Sequence, residues 1–166
     1  MNYEQARAYA VNVSRSGSIL GLDSIENLMH ELGDIQERLK IIHIAGTNGK
    51  GSTGAYLERV LIEAGYRVGR YSSPAVFDPM EVWRINLQSM SHEEYADIME
   101  QVKCACDRMV EKGMEHPTIF EVETAMAFLY FYQKKCDYVL LEVGMGGRTD
   151  ATNLIKKPVC SVIKIG

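Results

Sequence analysis

Lys50, Ser52 and Thr53 stand directly behind the run Gly46-Thr47-Asn48-Gly49 and ahead of a stretch with helical patterning. Residue types in that order suit a polyphosphate. Glycines let backbone N–H groups turn toward phosphate oxygens with no side chain in the way. Lys50 brings a compact positive charge to β- and γ-phosphates, and a hydroxyl of Ser52 or Thr53 can reach a magnesium ion. The N-terminus of the helix that follows adds its own partial positive charge. The spacing departs from the common G-x-x-x-x-G-K-[ST] pattern, because Ala45 holds the first glycine's place and Gly51 separates Lys50 from Ser52. Gly46, Thr47, Asn48, Gly49, Lys50, Gly51, Ser52 and Thr53 are therefore expected to bind ATP or another nucleoside triphosphate with Mg2+, and Lys50 to act on the transferred phosphate.

The surrounding pattern supplies the elements that must hold this loop. Residues 41–45 read as an apolar strand, 50–64 as a helix stopped by Gly65, and 67–72 as a second strand, a βαβ unit whose strands should run parallel. Ser91-His92-Glu93-Glu94 is a capping box opening a helix to about Lys112, and Pro117-Thr118-Ile119-Phe120-Glu121 opens another to about Lys135. Phe120, Ala127, Phe128 and Phe131 are its expected core residues. Asp137 to Val143 is nearly all apolar, as in a parallel strand covered on both faces. Val159 to Ile165 reads as a last strand. Between Ser72 and about Met90 lies a long loop with no sustained period, as a functional or a mobile segment has. Ahead of all this, residues 3–13 read as a helix, and Asp23 as the N-cap of a short helix with Ile25, Leu28, Met29 and Leu32 on one face. The expected fold is α/β: a three-layer, P-loop NTPase-like domain with a mainly parallel sheet.

Ligands of such sheets bind beyond the carboxyl ends of the strands. Strand 1 delivers Lys50 and Ser52 there, and strand 2 delivers Ser72-Ser73-Pro74. The apolar strand at 137–143 delivers Glu142 and Gly144-Met145-Gly146-Gly147-Arg148. A carboxylate at that place is costly unless it is paired or bound to metal, so Glu142 is expected to ligate magnesium; pairing with Arg148 or facing solvent is the plainer alternative. Ser73 either adds a hydroxyl to the metal or starts the Pro74 turn. Glu121 fits a capping box with Thr118, and Asp150, Thr152 and Asn153 either contact a ligand or satisfy turn backbone. His43, within a strand, reads as structural, and His30, His92 and His116 as surface or loop residues.

Composition narrows the class. The 166 residues are 46% hydrophobic with a net charge of −4, enough for a core and without the basic footprint that nucleic acid requires. Four cysteines, Cys104, Cys106, Cys136 and Cys160, form no C-x-x-C and sit at no zinc-ligand spacing to a histidine. They read as reduced, mostly buried thiols of a cytoplasmic protein. No basic patch leads into an apolar run at the N-terminus, and no stretch has the apolar length of a membrane span, so neither a signal peptide nor membrane contact is expected.

Taken together the motifs resemble a known family. His43-Ile44-Ala45-Gly46-Thr47-Asn48-Gly49-Lys50-Gly51-Ser52 is similar to the nucleotide loop of folylpolyglutamate synthase/dihydrofolate synthase, a branch of the Mur ligases, including the glycine after the lysine. Tyr71-Ser72-Ser73-Pro74 resembles its second motif. Phe120-Glu121 with Thr124-Ala125, and the run Glu142 to Asn153, resemble its third and fourth. Gly21-Leu22 through Leu32-Gly33 is similar to its N-terminal lead, so the resemblance covers residues 3 to 166.

It implies the fold of the Mur ligase central domain and a ligase that uses ATP to join L-glutamate to folate or dihydropteroate through an acyl phosphate. By position, Lys50 and Glu142 would be catalytic, and Ser52, Ser73 and Glu142 would hold magnesium. Ser72, Pro74, Glu121, Asp150 and Asn153 would line or support the pteroate side. The implied domains are a helical lead-in at 1–38 and the ATP-binding domain at 39–166. The family's C-terminal domain, and a metal-binding histidine and a modified lysine that follow the last strand, lie beyond this chain, which on its own is expected to be inactive or nearly so. Alternatives are a noncatalytic Mg-ATP-binding piece, another P-loop ATPase, or a cousin acting on murein precursors or cyanophycin. One departure falls in the long loop, where Val82 stands at the family's arginine; Arg84, two residues on, is expected to lie on a different face.

Overall fold

The computed structural model describes residues 1–15, 21–144 and 149–164. Six strands form one sheet in the order β4-β3-β2-β5-β1-β6: β1 (Ile41–Gly46), β2 (Val68–Tyr71), β3 (Trp83–Ile85), β4 (Gln88–Ser89), β5 (Tyr138–Glu142) and β6 (Cys160–Lys164). β1 and β2 point the same way, as the βαβ pattern requires, but they are not neighbours. β5 inserts between them, pairing parallel with both. β6 runs parallel outside β1. Its far end at Ile165, expected as strand, lies outside the described residues, as does the glycine-rich segment at 145–148.

The long loop holds more regular structure than its composition suggests. A 3-10 turn at Pro79–Val82 leads into β3, which pairs antiparallel with β2 and with β4. The β3–β4 hairpin is two residues long, with Asn86 and Leu87 both at positive φ (47° and 69°). Asn86 is at home there; Leu87 is an unusual occupant.

Alternation along the strands divides the core. Ile42, Ile44, Val68 and Leu140 face α3 (Lys50–Glu63), packing with Leu57, Leu61 and Ile62. Ile41, Tyr71, Val139 and Leu141 face the opposite layer. That layer holds α4 (His92–Glu111) and α5 (Ile119–Gln133), and α1 (Tyr3–Ser14) and α2 (Asp23–Glu31) pack into the same core. α5 is apolar on all sides because it lies between the sheet and the other helices; Ala127, Phe128 and Phe131 are fully buried, while Phe120 is only half-buried. The capping boxes at Ser91/Glu94 and Thr118/Glu121 both form. The expected Asp23 cap does not: α2 begins at Asp23, with Leu22 as N-cap and no side-chain bond to the free N–H groups. Asp23 and Glu26 instead favour that helix end through charge alone. Ile25, Leu28 and Met29 are fully buried and Leu32 half-buried.

The cysteines depart from expectation. Only Cys106 is buried; Cys104, on the opposite side of α4, and Cys160, on the outermost strand, are exposed, and Cys136 is half-buried. All four are free thiols. Among the described residues no helix is long and apolar enough to cross a membrane.

Candidate functional site

The carboxyl ends of β1, β5 and β2 lie side by side, and the chain leaving each carries polar groups. After β1 the chain turns through Gly46 to Gly49 and enters α3. Gly49 is the N-cap residue of α3 at φ 75°, a conformation that costs glycine little and a side chain with a Cβ more. Lys50 therefore begins the helix, and its Nζ donates to the carbonyl of Gly46 at 2.9 Å. Thr47 and Asn48 are exposed at the loop tip, Ser52 is exposed, and Thr53 half-buried on the first turn. The loop's N–H groups have no side-chain cap, which leaves them for an anion.

Ser72, Ser73 and Pro74 follow β2, and the Ser73–Pro74 bond is cis. Glu142 ends β5, level with Ile44 of β1. A cleft of about 490 Å³ gathers Gly51, Ser72, Ser73, Pro74 and Glu142, together with Arg70, Arg84, Glu81, Val76 and Phe77. Glu142 is half-buried, and among the described residues its carboxylate has no hydrogen-bond partner. Desolvation raises its pKa, opposed by the charges of Arg70 and then Lys50.

This donor set suits a hard cation that keeps part of its sphere for phosphate and water. Magnesium takes one or two carboxylates, not an all-protein cage. Among the described residues no trio of histidine, cysteine or acidic groups could hold a metal by itself. Of the expected ligands, Glu142 and Ser73 line one cleft, while Ser52, exposed on the first turn of α3, is not among the residues that line it.

Ser73 and Pro74 also form part of the wall of a second, larger cavity of about 600 Å³. Its lining is mainly apolar, with Val82, Trp83, Ile119, Phe120 and Ala151 among its residues, and it also holds Glu121 and Asp150. Glu121 is buried and keeps its capping role, accepting from the backbone N–H of Thr118 at 2.7 Å and from its hydroxyl at 2.9 Å. Asp150 is buried and accepts from the backbone and hydroxyl of Thr152, whose hydroxyl also bonds His43 Nε2 at 3.0 Å. Burial lowers the pKa of His43, with Asp150 opposing; a neutral imidazole bonded across the sheet end is the structural histidine expected. Asn153 sits exposed on the 3-10 turn Ala151–Leu154 and is not among the residues lining this cavity.

Three groups in the cavity region went unread in the sequence. Arg7, from α1, and Glu123, from α5, are on the cavity wall. Tyr95 is close enough to both for their charges to act on its buried hydroxyl, and Arg7 also approaches it as a hydrogen-bond donor. The available signal was Glu123 itself, an acid inside the otherwise apolar run Val122 to Phe131. The lead-in helix is thus part of the site wall as well as of the core.

Val82 and Arg84 do face different places. Val82 lines the large cavity and Arg84 the phosphate-side cleft. Strand alternation would have put residues two apart on one face; they separate because Val82 ends a 3-10 turn while Arg84 is in β3.

Glu123 is expected to make stability pH-dependent. Burial pushes its carboxyl up to about 7, with only Arg7 opposing. Between the ordinary carboxylate range and that value the unfolded chain loses the proton first, so stability falls as pH rises, by at most about 3 kcal/mol. Glu123→Gln should remove that fall. The check is the urea midpoint of both proteins from about pH 4.5 to about pH 8; parallel curves would contradict it.

Comparison with known proteins fits this geometry. No protein-family model matches the chain. Dihydrofolate synthase/folylpolyglutamate synthase of Bacillus subtilis is 37% identical over 165 residues, 99% of this chain and 38% of the relative. The crystal structure of folylpolyglutamate synthase from Thermotoga maritima superposes with a TM-score of 0.90 at 39% identity, covering 98% of this chain and 38% of that one. A bifunctional folylpolyglutamate synthase/dihydrofolate synthase with Mn, AMPPNP and L-glutamate bound gives a TM-score of 0.84 at 37% identity, covering 95% of this chain and 37% of that one. The chain thus spans under two-fifths of the length of these relatives. Sequence identity and superposition together show that it belongs to the folylpolyglutamate synthase/dihydrofolate synthase family and corresponds to the N-terminal, nucleotide-binding part.

Proposed function

We propose that this chain is the ATP-binding part of a cytoplasmic ligase that joins L-glutamate to folate or dihydropteroate through an acyl phosphate. The observation that carries it is the shared wall: Ser73 and Pro74 border both the phosphate-side cleft and the mainly apolar cavity. A substrate whose flat, apolar body fills the cavity can present a carboxylate at that wall, next to the phosphate being transferred.

In this reading Gly46 to Thr53 bind the triphosphate. Lys50 exchanges its bond to the Gly46 carbonyl for phosphate oxygens and offsets the charge that develops on the transferred group. Ser52, Ser73 and Glu142 would hold magnesium, which would supply positive charge to offset that of the phosphates. Ser72, Pro74, Glu121 and Asp150 shape or support the pteroate side, with Asn153 bracing the turn that carries Asp150. Residues 1–38 serve as lead-in and 39–166 as the ATP-binding domain. Capture of glutamate and closure over ATP fall to the family's C-terminal domain.

Because the chain spans only 38% of the Bacillus subtilis relative, a second reading is that it binds Mg-ATP and turns nothing over unaided. One experiment tests both: calorimetric titration of the chain with Mg-ATP, and a glutamate-incorporation assay with dihydropteroate and tetrahydrofolate. Binding without incorporation is expected. Incorporation that Lys50→Ala abolishes would refute the second reading, and absence of nucleotide binding would overturn the first for this chain.

A further inference from the structure

A buried cluster beneath the phosphate loop has no place in the reading so far. Arg70, in β2, is only 5% exposed, and Glu58, in α3, is 0% exposed. Arg70 donates to the Glu58 carboxylate at 3.1 Å and, through its other terminal nitrogen, to the backbone carbonyl of Gly51 at 2.8 Å. Gly51 belongs to the first turn of α3, immediately after Lys50. One guanidinium therefore ties that turn to the strand beside Glu142.

The surroundings are shaped for it. A Cβ at Gly54 would lie 3.2 Å from the Arg70 guanidinium carbon and from two of its nitrogens. That is tighter than ordinary contact, so the helix passes close over the charge only because residue 54 is glycine. Arg70 also stands directly opposite Arg84 in the β2–β3 pairing, an arrangement of like charges that destabilises a sheet unless something lies between them. Glu58 does, with Arg84 at 3.5 Å. Arg70 and Glu142 border one cleft, and Arg70 acts on the Glu142 carboxylate ahead of Lys50.

We propose that Arg70 is a positioning residue that clamps the first turn of α3 for phosphate while its charge opposes metal at Glu142, so that metal binds well only together with nucleotide. This rests on the proposed ATP and magnesium site. A positive charge within the cleft favours polyphosphate and disfavours a divalent cation. Once phosphate arrives, its own negative charge offsets Arg70, and the metal no longer meets a net repulsion. A clamp of purely structural value would give no such opposition of sign.

The test measures each ligand alone: ATP in EDTA by calorimetry, and Mn2+ without nucleotide by electron paramagnetic resonance. In Arg70→Met, affinity for metal-free ATP should fall about tenfold while affinity for Mn2+ should rise about threefold. Arg70→Lys, which keeps charge but cannot span Glu58 and the Gly51 carbonyl together, should keep Mn2+ affinity near parental and lose part of the ATP affinity. Should Arg70→Met fail to fold, Arg70→Gln, which removes the charge and keeps a hydrogen-bond donor toward Glu58, must show the same opposed shifts. Affinities that fall together, or that do not move, would overturn the proposal while leaving the site reading intact. A parent chain that binds neither ATP nor Mn2+ would overturn both.

Discussion

Replacing Lys50 with alanine is expected to lower the affinity for ATP about a hundredfold, with or without magnesium, and to leave the fold almost unchanged. The magnitude follows from losing charge-assisted bonds to phosphate, each worth about 1.5–3 kcal/mol. In the absence of ligand, Lys50 bonds, among the described residues, only the Gly46 carbonyl at the edge of the loop. Alanine returns that carbonyl to water, so the thermal midpoint should shift by no more than about 2 °C. Glu142→Ala should behave in the opposite manner. It removes a negative charge from the phosphate cleft, so metal-free ATP should bind as well as before or slightly better, while the gain that magnesium brings disappears. Calorimetric titrations of the three proteins with ATP, in EDTA and in magnesium, make the comparison. A Lys50→Ala protein that binds ATP as tightly as the parent would remove the phosphate loop from the site, and a Glu142→Ala protein that keeps the magnesium gain would remove Glu142 as a ligand.

What could be read from the sequence was what local chemistry decides. The loop between Ala45 and Thr53 announces itself because residue order alone specifies a strand, a glycine turn and a helix N-terminus. The Ser91/Glu94 and Thr118/Glu121 boxes are equally local, each closed within one turn. The insertion of β5 between β1 and β2 is not local: the βαβ pattern fixes direction and hand but not which strand fills the gap. Arg70 was invisible for the same reason. Val68-Gly69-Arg70-Tyr71 reads as a short strand with one charge, and only the arrival of Glu58 from α3 and Arg84 from β3 shows why a guanidinium is buried there. Glu123 was hidden by its neighbours, since one acid in the apolar run of α5 carries no mark of the cavity it faces. For Val82 and Arg84 the expected difference of face holds, but its cause is the 3-10 turn that ends at Val82, since strand alternation alone would have put residues two apart on one face.

Glu58→Ala is expected to be among the most destabilising single substitutions in the chain, by about 3–5 kcal/mol, because it strands Arg70 in the interior with a second guanidinium opposite it. That is a large part of the roughly 5–15 kcal/mol that holds a domain folded, and the thermal midpoint should drop by about 10 °C or more. Burial is what sets the size. A surface pair such as Arg59–Glu63, with side chains 62% and 68% exposed, would yield under about 1 kcal/mol on the same change. Yet the intact cluster need not be a large net stabiliser. Among the described residues, Glu58 Oε1 and Arg84 Nε are both buried without a hydrogen-bond partner, and each such atom offsets part of the attraction. Replacing the whole group, Glu58→Met with Arg70→Met and Arg84→Met, should therefore restore most of what Glu58→Ala loses. Urea unfolding of the parent, the single and the triple variant decides the matter. Recovery in the triple variant would mean that the fold does not require the cluster, and that its retention beneath the phosphate loop reflects what Arg70 does for the ligand. A triple variant as unstable as Glu58→Ala would mean that the ion cluster is itself a main support of the α3–sheet contact.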